Sequence, residues 1–231
     1  MCCELWPGNT ADVTTLLPVV NRLRQRFRVR RVCLVADRGM ISAGTIRALE
    51  SEELDCDYIL GARMRSVKQV SDRVLADLGR YQEITPERKT TKDPSPLKVK
   101  EVLVEDRRYV VWLNEEQGHR KDAADRKAIV EHLREQLKQG DKELIGNKGY
   151  RKYLQAEAGE RFTIDETKVK EEARYDGKWV LQTNLADEPR IIALANKELW
   201  MVEDIFCTMK SILETRPIYH KRGETIRGQV L

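Results

Sequence analysis

The chain has 231 residues, 41% apolar and 35% charged. That is the composition of a charge-rich globular protein with room for one large domain or for a core carrying an insertion. Its net charge of +4, from 42 basic and 38 acidic residues, is too mild to demand a polyanionic partner, although local clusters can still form one. No apolar run approaches the roughly 20 residues of a membrane span, and no basic-plus-apolar leader precedes a cleavage site. Cys2, Cys3, Cys33, Cys56 and Cys207 show no C-x-x-C spacing, and His119, His132 and His220 lie far apart. Neither a disulfide framework nor a zinc site is indicated. A cytoplasmic, reduced protein is expected, in which any metal is a hard cation on carboxylates.

Taken in order, Met1–Trp6 (MCCELW) reads as a short strand and Pro7-Gly8-Asn9 as a turn. Val13, Leu16, Leu17, Val20, Leu23 and Phe27 then recur at helical spacing, which predicts a helix over Thr14–Phe27 with Pro18 in its first turn. Six arginines between Arg22 and Arg31 form either a solvated helix face or a surface that meets phosphate. Val32–Ala36 is a short apolar run that reads as a buried strand and stops at Asp37-Arg38-Gly39. Ser42 is a candidate N-cap for a helix over Ser42–Leu54 that buries Ile46, Leu49 and Leu54. Asp57–Ala62 is the next strand and runs into Arg63-Met64-Arg65. Strands alternating with helices predict an α/β layer, largely parallel here, in which ligands gather at the carboxyl ends of strands. Asp37, Arg63 and Arg65 all fall at such ends. The plainer reading is a turn aspartate and a solvated strand exit.

From Arg80 the pattern changes to short strands. RYQEI is followed by the connector Pro86–Pro96, and then by KVKEVLVED and RYVVWLN, a hairpin with Arg107-Arg108 at its turn. A charged helix over Lys121–Gln139 carries the apolar line Ile129, Leu133, Leu137 and stops at Gly140. Phe162–Ile164 and Trp179–Thr183 are further strands, the second entered through the turn Tyr175-Asp176-Gly177. The final helix, Lys197–Thr215, shows an apolar stripe of Leu199, Val202, Phe206, Met209 and Leu213 and ends at Arg216-Pro217. Glu203 and Lys210 share one flank of it, about 10 Å apart along the axis. They suit a half-buried carboxylate and a phosphate-facing lysine, or ordinary boundary charges.

The phrases PGNTAD, VADRGM, YILGARMR, DAADRKAIVEHL, NKGYRKYL, YDGKWVLQTN, LWMVEDIFCTMKSILETRPIYH and IRGQV occur in that order. Together they resemble the DDE-type transposases of bacterial insertion sequences, in the group with a D-R-G second acidic motif and a Y-R-E-K-like signature. The resemblance implies an α/β, partial RNase H-like core with a mostly β insertion before the last catalytic helix. Residues 1–79 are then the N-terminal part of the core, 80–184 the insertion, and 185–231 the C-terminal part. It implies metal-dependent DNA cleavage and strand transfer, with Asp37 and Glu203 as catalytic and metal-binding carboxylates. Arg63, Arg65 and Lys210 become DNA contacts, and two Mg²⁺ ions the cofactor. The implied partners are DNA at insertion-sequence ends, a full-length transposase or a second copy, in a bacterial cytoplasm. The departures are specific. The family's first catalytic Asp is absent, and Asp12 begins a helix and does not replace it. Asn196 and Leu199 stand at the signature Tyr and Arg positions, Cys207 replaces a basic residue, and Gln229 replaces a His. The chain therefore reads as truncated at both ends and inactive alone, with an uncovered sheet edge beside Val32–Ala36. Asp37 and Glu203 are expected to converge. The alternative is a non-catalytic DNA-binding or transposase-pairing inhibitor fragment.

Overall fold

A computed structural model describes residues 6–7, 9–29, 31–84, 96–139, 148–156 and 162–211, with 222, 224–225 and 228. The expected strand before Trp6, most of the Pro86–Pro96 connector, the Gly140 stop, Arg216-Pro217 and Gln229 lie outside them. The described elements are α1 (Asp12–Phe27), β1 (Cys33–Ala36), α2 (Ala43–Leu49), β2 (Asp57–Gly61), β3 (Gln82–Ile84), β4 (Leu97–Val104), β5 (Arg107–Leu113), α3 (Ala123–Gln139), α4 (Lys148–Arg151), β6 (Leu154–Ala156), β7 (Phe162–Ile164), α5 (Glu166–Ala173), β8 (Lys178–Thr183), α6 (Pro189–Lys197) and α7 (Leu199–Ser211). One mixed sheet has the order β1-β2-β8-β5-β4-β3, and β6-β7 form a second, two-stranded sheet. This is a mixed α/β architecture, consistent with a partial RNase H-like core. The described chain divides into two compact units: Met1–Asp77 with Glu101–Val110 and Val180–Leu231, and Leu78–Lys100 with Val111–Trp179.

The first unit is built around β2. Tyr58, Ile59 and Leu60 are at most 2% exposed, because β2 is flanked on both sides. β1 pairs with it in parallel, Cys33↔Asp57 through Ala36↔Leu60. β8 pairs with it antiparallel, Ile59↔Thr183 through Gly61↔Leu181. The neighbourhood is thus only half parallel. The Asn184 side chain fixes the β8 return, accepting from the Tyr58 N–H at 2.8 Å and donating to the Cys56 carbonyl at 3.0 Å. β1 was expected to be buried, yet only Ala36 is, and Cys33 is exposed. Its outer edge has no partner strand among the described residues.

α1 buries Leu16 and Val20. Pro18 sits in the second turn, not the first, and is accommodated inside the helix; its missing N–H leaves one rung of the ladder open. Arg28 leaves the helix in the left-handed region at φ 52°. Two of the clustered arginines serve the fold. Arg24 donates to the Leu54 carbonyl, and Arg31 pairs with Asp57 at 2.6 Å. Ser42 caps α2 as expected, accepting from the Thr45 N–H at 3.1 Å. The β4–β5 hairpin turns at Glu105-Asp106, with Glu105 at φ 55°. Arg107 and Arg108 are not in the turn but open β5, from which Arg107 pairs with Glu50 and Arg108 with Glu101.

Tyr58, 1% exposed, donates its hydroxyl to Glu50 at 2.5 Å. Burial first, and then the Glu50 carboxylate, push its phenol up to about 12. The folded state therefore keeps the Tyr58 proton where an unfolded chain loses it. This contribution is full below about pH 10 and is lost as pH rises toward about 12. In urea titrations, wild type is expected to lose on the order of 2 kcal/mol more than Tyr58→Phe across that window. Parallel curves for the two proteins would show that the phenol is not linked to folding.

The second unit has its own core. Leu133 of α3 is fully buried with Tyr153 and Leu154, and Ile129 and Leu137 pack beside it, which is the apolar line expected for this helix. A π-helical turn, Gln117–Asp122, leads into α3. β3 and β4 pair antiparallel. Trp112 and Trp179 stack with centroids 4.2 Å apart and planes 7° from parallel. Gly177 makes the expected turn at φ +64°.

Candidate functional site

At the carboxyl end of β1, Asp37 is followed by one 3-10 turn, Arg38–Met40. The Met40 N–H donates to the Asp37 carbonyl at 3.1 Å, so the backbone, not the side chain, closes the turn. The Asp37 carboxylate is left exposed and makes no capping bond. Beside it, β2 ends at Gly61. A Cβ there would lie 2.9 Å from the Arg38 amide nitrogen and 3.4 Å from an Asp37 carboxylate oxygen. Only a residue without a side chain lets the two strand ends approach this closely. Gly61→Ala is expected to cost about 1–3 kcal/mol and to shift the Asp37 and Arg38 amide resonances. An unchanged denaturation midpoint would remove this role for Gly61.

Past β2, the Ala62 N–H extends the ladder to the Val180 carbonyl at 2.7 Å, and Met64 is buried at 7% exposure. The buried methionine turns its neighbours Arg63 and Arg65 outward to solvent. The Arg63 Nε donates to the Arg38 carbonyl at 3.1 Å, tying the exits of β1 and β2 together. Arg38, Arg63 and Arg65 surround a surface hollow of about 320 Å³ with Gly39, Met64 and Ser66. Three arginines thus line one hollow at the strand ends next to Asp37, and arginine is a residue type suited to phosphate. Arg38 was not among the residues expected to act here. The signal was its place in the Asp37-Arg38-Gly39 phrase, where it follows a strand end directly.

Glu203 lies on α7 and is exposed. Lys210 lies on the same helix, seven residues on. The expected Lys197–Thr215 helix begins at Leu199 instead, Lys197 closing another helix, and its stretch beyond Ser211 lies outside the described residues. A separate helix, α6, precedes it and packs on β1 and β2, with Ile192 and Ala193 fully buried. Sequence periodicity missed α6, although Pro189 at its first position is a start signal. Two residues of the apolar stripe of α7 are exposed, Val202 at 45% and Phe206 at 55%. Glu203 is therefore an exposed group, not a half-buried one.

Among the described residues no group of three or more His, Cys, Asp or Glu side chains could share a metal ion. Cys33 and Cys207 are exposed free thiols and Cys56 a buried one, and burial pushes the Cys56 thiol up. No helix of the described residues is long and apolar enough to cross a membrane.

A family described as "Transposase DDE domain" matches residues 1–231. No curated protein matches the chain, and no solved structure does. Members of this family act in transposition, which makes DNA their partner, and they generally use a divalent metal. Because the match runs over the whole sequence and takes in both the Asp37 strand end and the α7 segment, the chain belongs to the DDE transposase family.

Proposed function

We propose that this chain holds DNA phosphates along the edge formed by the ends of β1 and β2, and presents Asp37 and Glu203 as two of the acidic groups of a transposase centre. Arg38, Arg63 and Arg65 would contact phosphate there, with Lys210 contributing a point charge from α7. The observation that carries this reading is the hollow lined by Arg38, Arg63 and Arg65, at the end of the strand that stops at the exposed Asp37. DNA cleavage followed by strand transfer is an in-line displacement at phosphorus, by water and then by a 3′-hydroxyl. Bound divalent metal stabilises the attacking and leaving oxygens. Among the described residues no three such side chains come together to share a metal ion. We therefore read the chain as able to bind DNA but inactive alone in cleavage. Incubated with supercoiled plasmid and Mg²⁺, purified protein is expected to leave no nicks. Nicking that vanishes in Asp37→Ala or Glu203→Ala would overturn the inactivity.

A second reading is favoured by the exposed apolar face of α7, where Met201 and Ile205 join Val202 and Phe206. Contiguous exposed apolar surface marks interaction sites. In this reading the chain pairs with a full-length transposase and inhibits it. Co-purification lost in Phe206→Asp would support pairing, and its absence from wild type would remove the reading.

A further inference from the structure

A second concavity opens beside the phosphate-binding edge, in the first unit, between α2 and the segment that follows β2. Its volume is about 380 Å³, within the range of small-ligand sites. Leu60 and Val70 form its buried floor, with Ile46 and Val67 on its walls and Arg47 and Arg63 among its lining residues. No carboxylate lines it. Arg47 and Arg63 engage backbone carbonyls through Nε, those of Ala43 at 3.4 Å and Arg38 at 3.1 Å. Neither guanidinium meets a carboxylate among the described residues. Gln69 and Gln182 also line the space; the Gln69 Oε1 accepts from the Tyr109 hydroxyl at 3.4 Å and the Gln182 side chain hydrogen-bonds Tyr58, and an amide so engaged keeps further polar positions for a ligand edge. Arg63 borders both this cavity and the hollow beside Asp37.

We propose that this cavity takes a nucleotide, with the base against the apolar walls, its polar edge on the glutamine amides, and its phosphate on Arg47 and Arg63. The requirement is a flat body with an apolar face, hydrogen-bonding edges and an anion at one side. Acidic ligands without the ring would leave the floor wet, and neutral rings would leave the two cations unused. The same chemistry comes from two sources, a free mononucleotide or an unstacked nucleotide of a bound DNA strand. The DNA source rests on the proposed function, and the shared Arg63 connects it to the phosphate edge.

The test uses the whole chain with three readouts. AMP and dTMP are titrated calorimetrically. Oligonucleotides carrying 2-aminopurine at successive positions report unstacking by increased emission. A 5′-labelled oligonucleotide reports strand binding by anisotropy. A mononucleotide response or a 2-aminopurine rise is expected in wild type, weakened about tenfold in Arg47→Ala, the effect of one charge-assisted hydrogen bond, and lost in Val67→Trp. Val67 is 39% exposed, so the tryptophan enters from the surface; Ala43→Trp, at an exposed position, fills the same space independently, and thermal unfolding checks that both variants fold. Mononucleotide binding with silent 2-aminopurine assigns the free ligand, and the converse assigns the strand. If neither responds in wild type, or if both tryptophan variants respond as wild type does, the cavity proposal is overturned. Anisotropy decides the DNA reading separately, since a strand can bind while the cavity stays silent.

Discussion

Replacing Arg38, Arg63 and Arg65 together by alanine is expected to weaken DNA binding about 10²-fold near 0.1 M salt and to flatten the dependence of log K on log salt by about 2.7. Each phosphate neutralised releases condensed counterions, and each contributes roughly 0.9 to that slope. All three side chains are exposed, so their removal leaves the core intact. Within the protein, Arg63 gives up its bond to the Arg38 carbonyl, worth about 1 kcal/mol, and Arg65 gives up an interaction of its own. Anisotropy titrations at four salt concentrations separate the two effects. A slope equal to that of wild type would place the DNA elsewhere, and the α1 arginine cluster would then be the next surface to test.

Gly177→Ala is expected to destabilise the second unit by at least about 3 kcal/mol. Two costs add. The φ of +64° puts any L side chain in the left-handed region, at about 1–2 kcal/mol. The new Cβ would also lie 2.3 Å from the Asn114 carbonyl oxygen and 2.9 Å from the backbone of Gly118. Neither neighbour can give easily. The Asn114 N–H donates to the Gly177 carbonyl at 2.8 Å, and the Asn114 carbonyl accepts from the Gly118 N–H at 2.9 Å. The Gly177 N–H is itself held by Asp122 at 2.8 Å, and Asp176 by Arg126. Opening this knot disturbs the entry to β8 and the π-helical turn before α3 together. Gly39→Ala is the matched control. A Cβ there meets nothing within 4 Å, so its midpoint should stay within about 0.5 kcal/mol of wild type. Equal stability of the two variants would show that the Gly177 contacts relax at little cost.

Local chemistry made much of this fold legible. Apolar spacing located α1 and the packed face of α3, β-branched runs located β1 and β2, and the Ser42 cap and the Gly177 turn followed from side-chain and backbone preferences. Pairing between distant segments was not legible in the same way. Nothing within WVLQT says that it lies antiparallel on β2. Periodicity identified the α7 stripe but not what lies against it, and Val202 and Phe206 are exposed. α6 was missed because it is short, nine residues, and merged in pattern with the helix that follows. At the site, the strand-end positions of Asp37, Arg63 and Arg65 could be read from where the apolar runs stop. Arg38 shared that signal and was passed over, whereas Arg47 could not be read, because its place depends on a cavity wall.

The way the first unit is assembled has a consequence for its synthesis. β2 is complete at Gly61, but its second neighbour and the hydrogen bonds from Thr183 and Asn184 to Tyr58 and Cys56 come about 125 positions later, at |i−j| of 125 to 128. At roughly 5–20 residues per second, a nascent chain waits about 6–25 s with Tyr58, Ile59 and Leu60 lacking that cover. Closing so long a loop is slow in any case. The strand at the centre of the unit therefore spends that interval without its second neighbour, and holdase chaperones should find a binding segment at Asp57–Gly61.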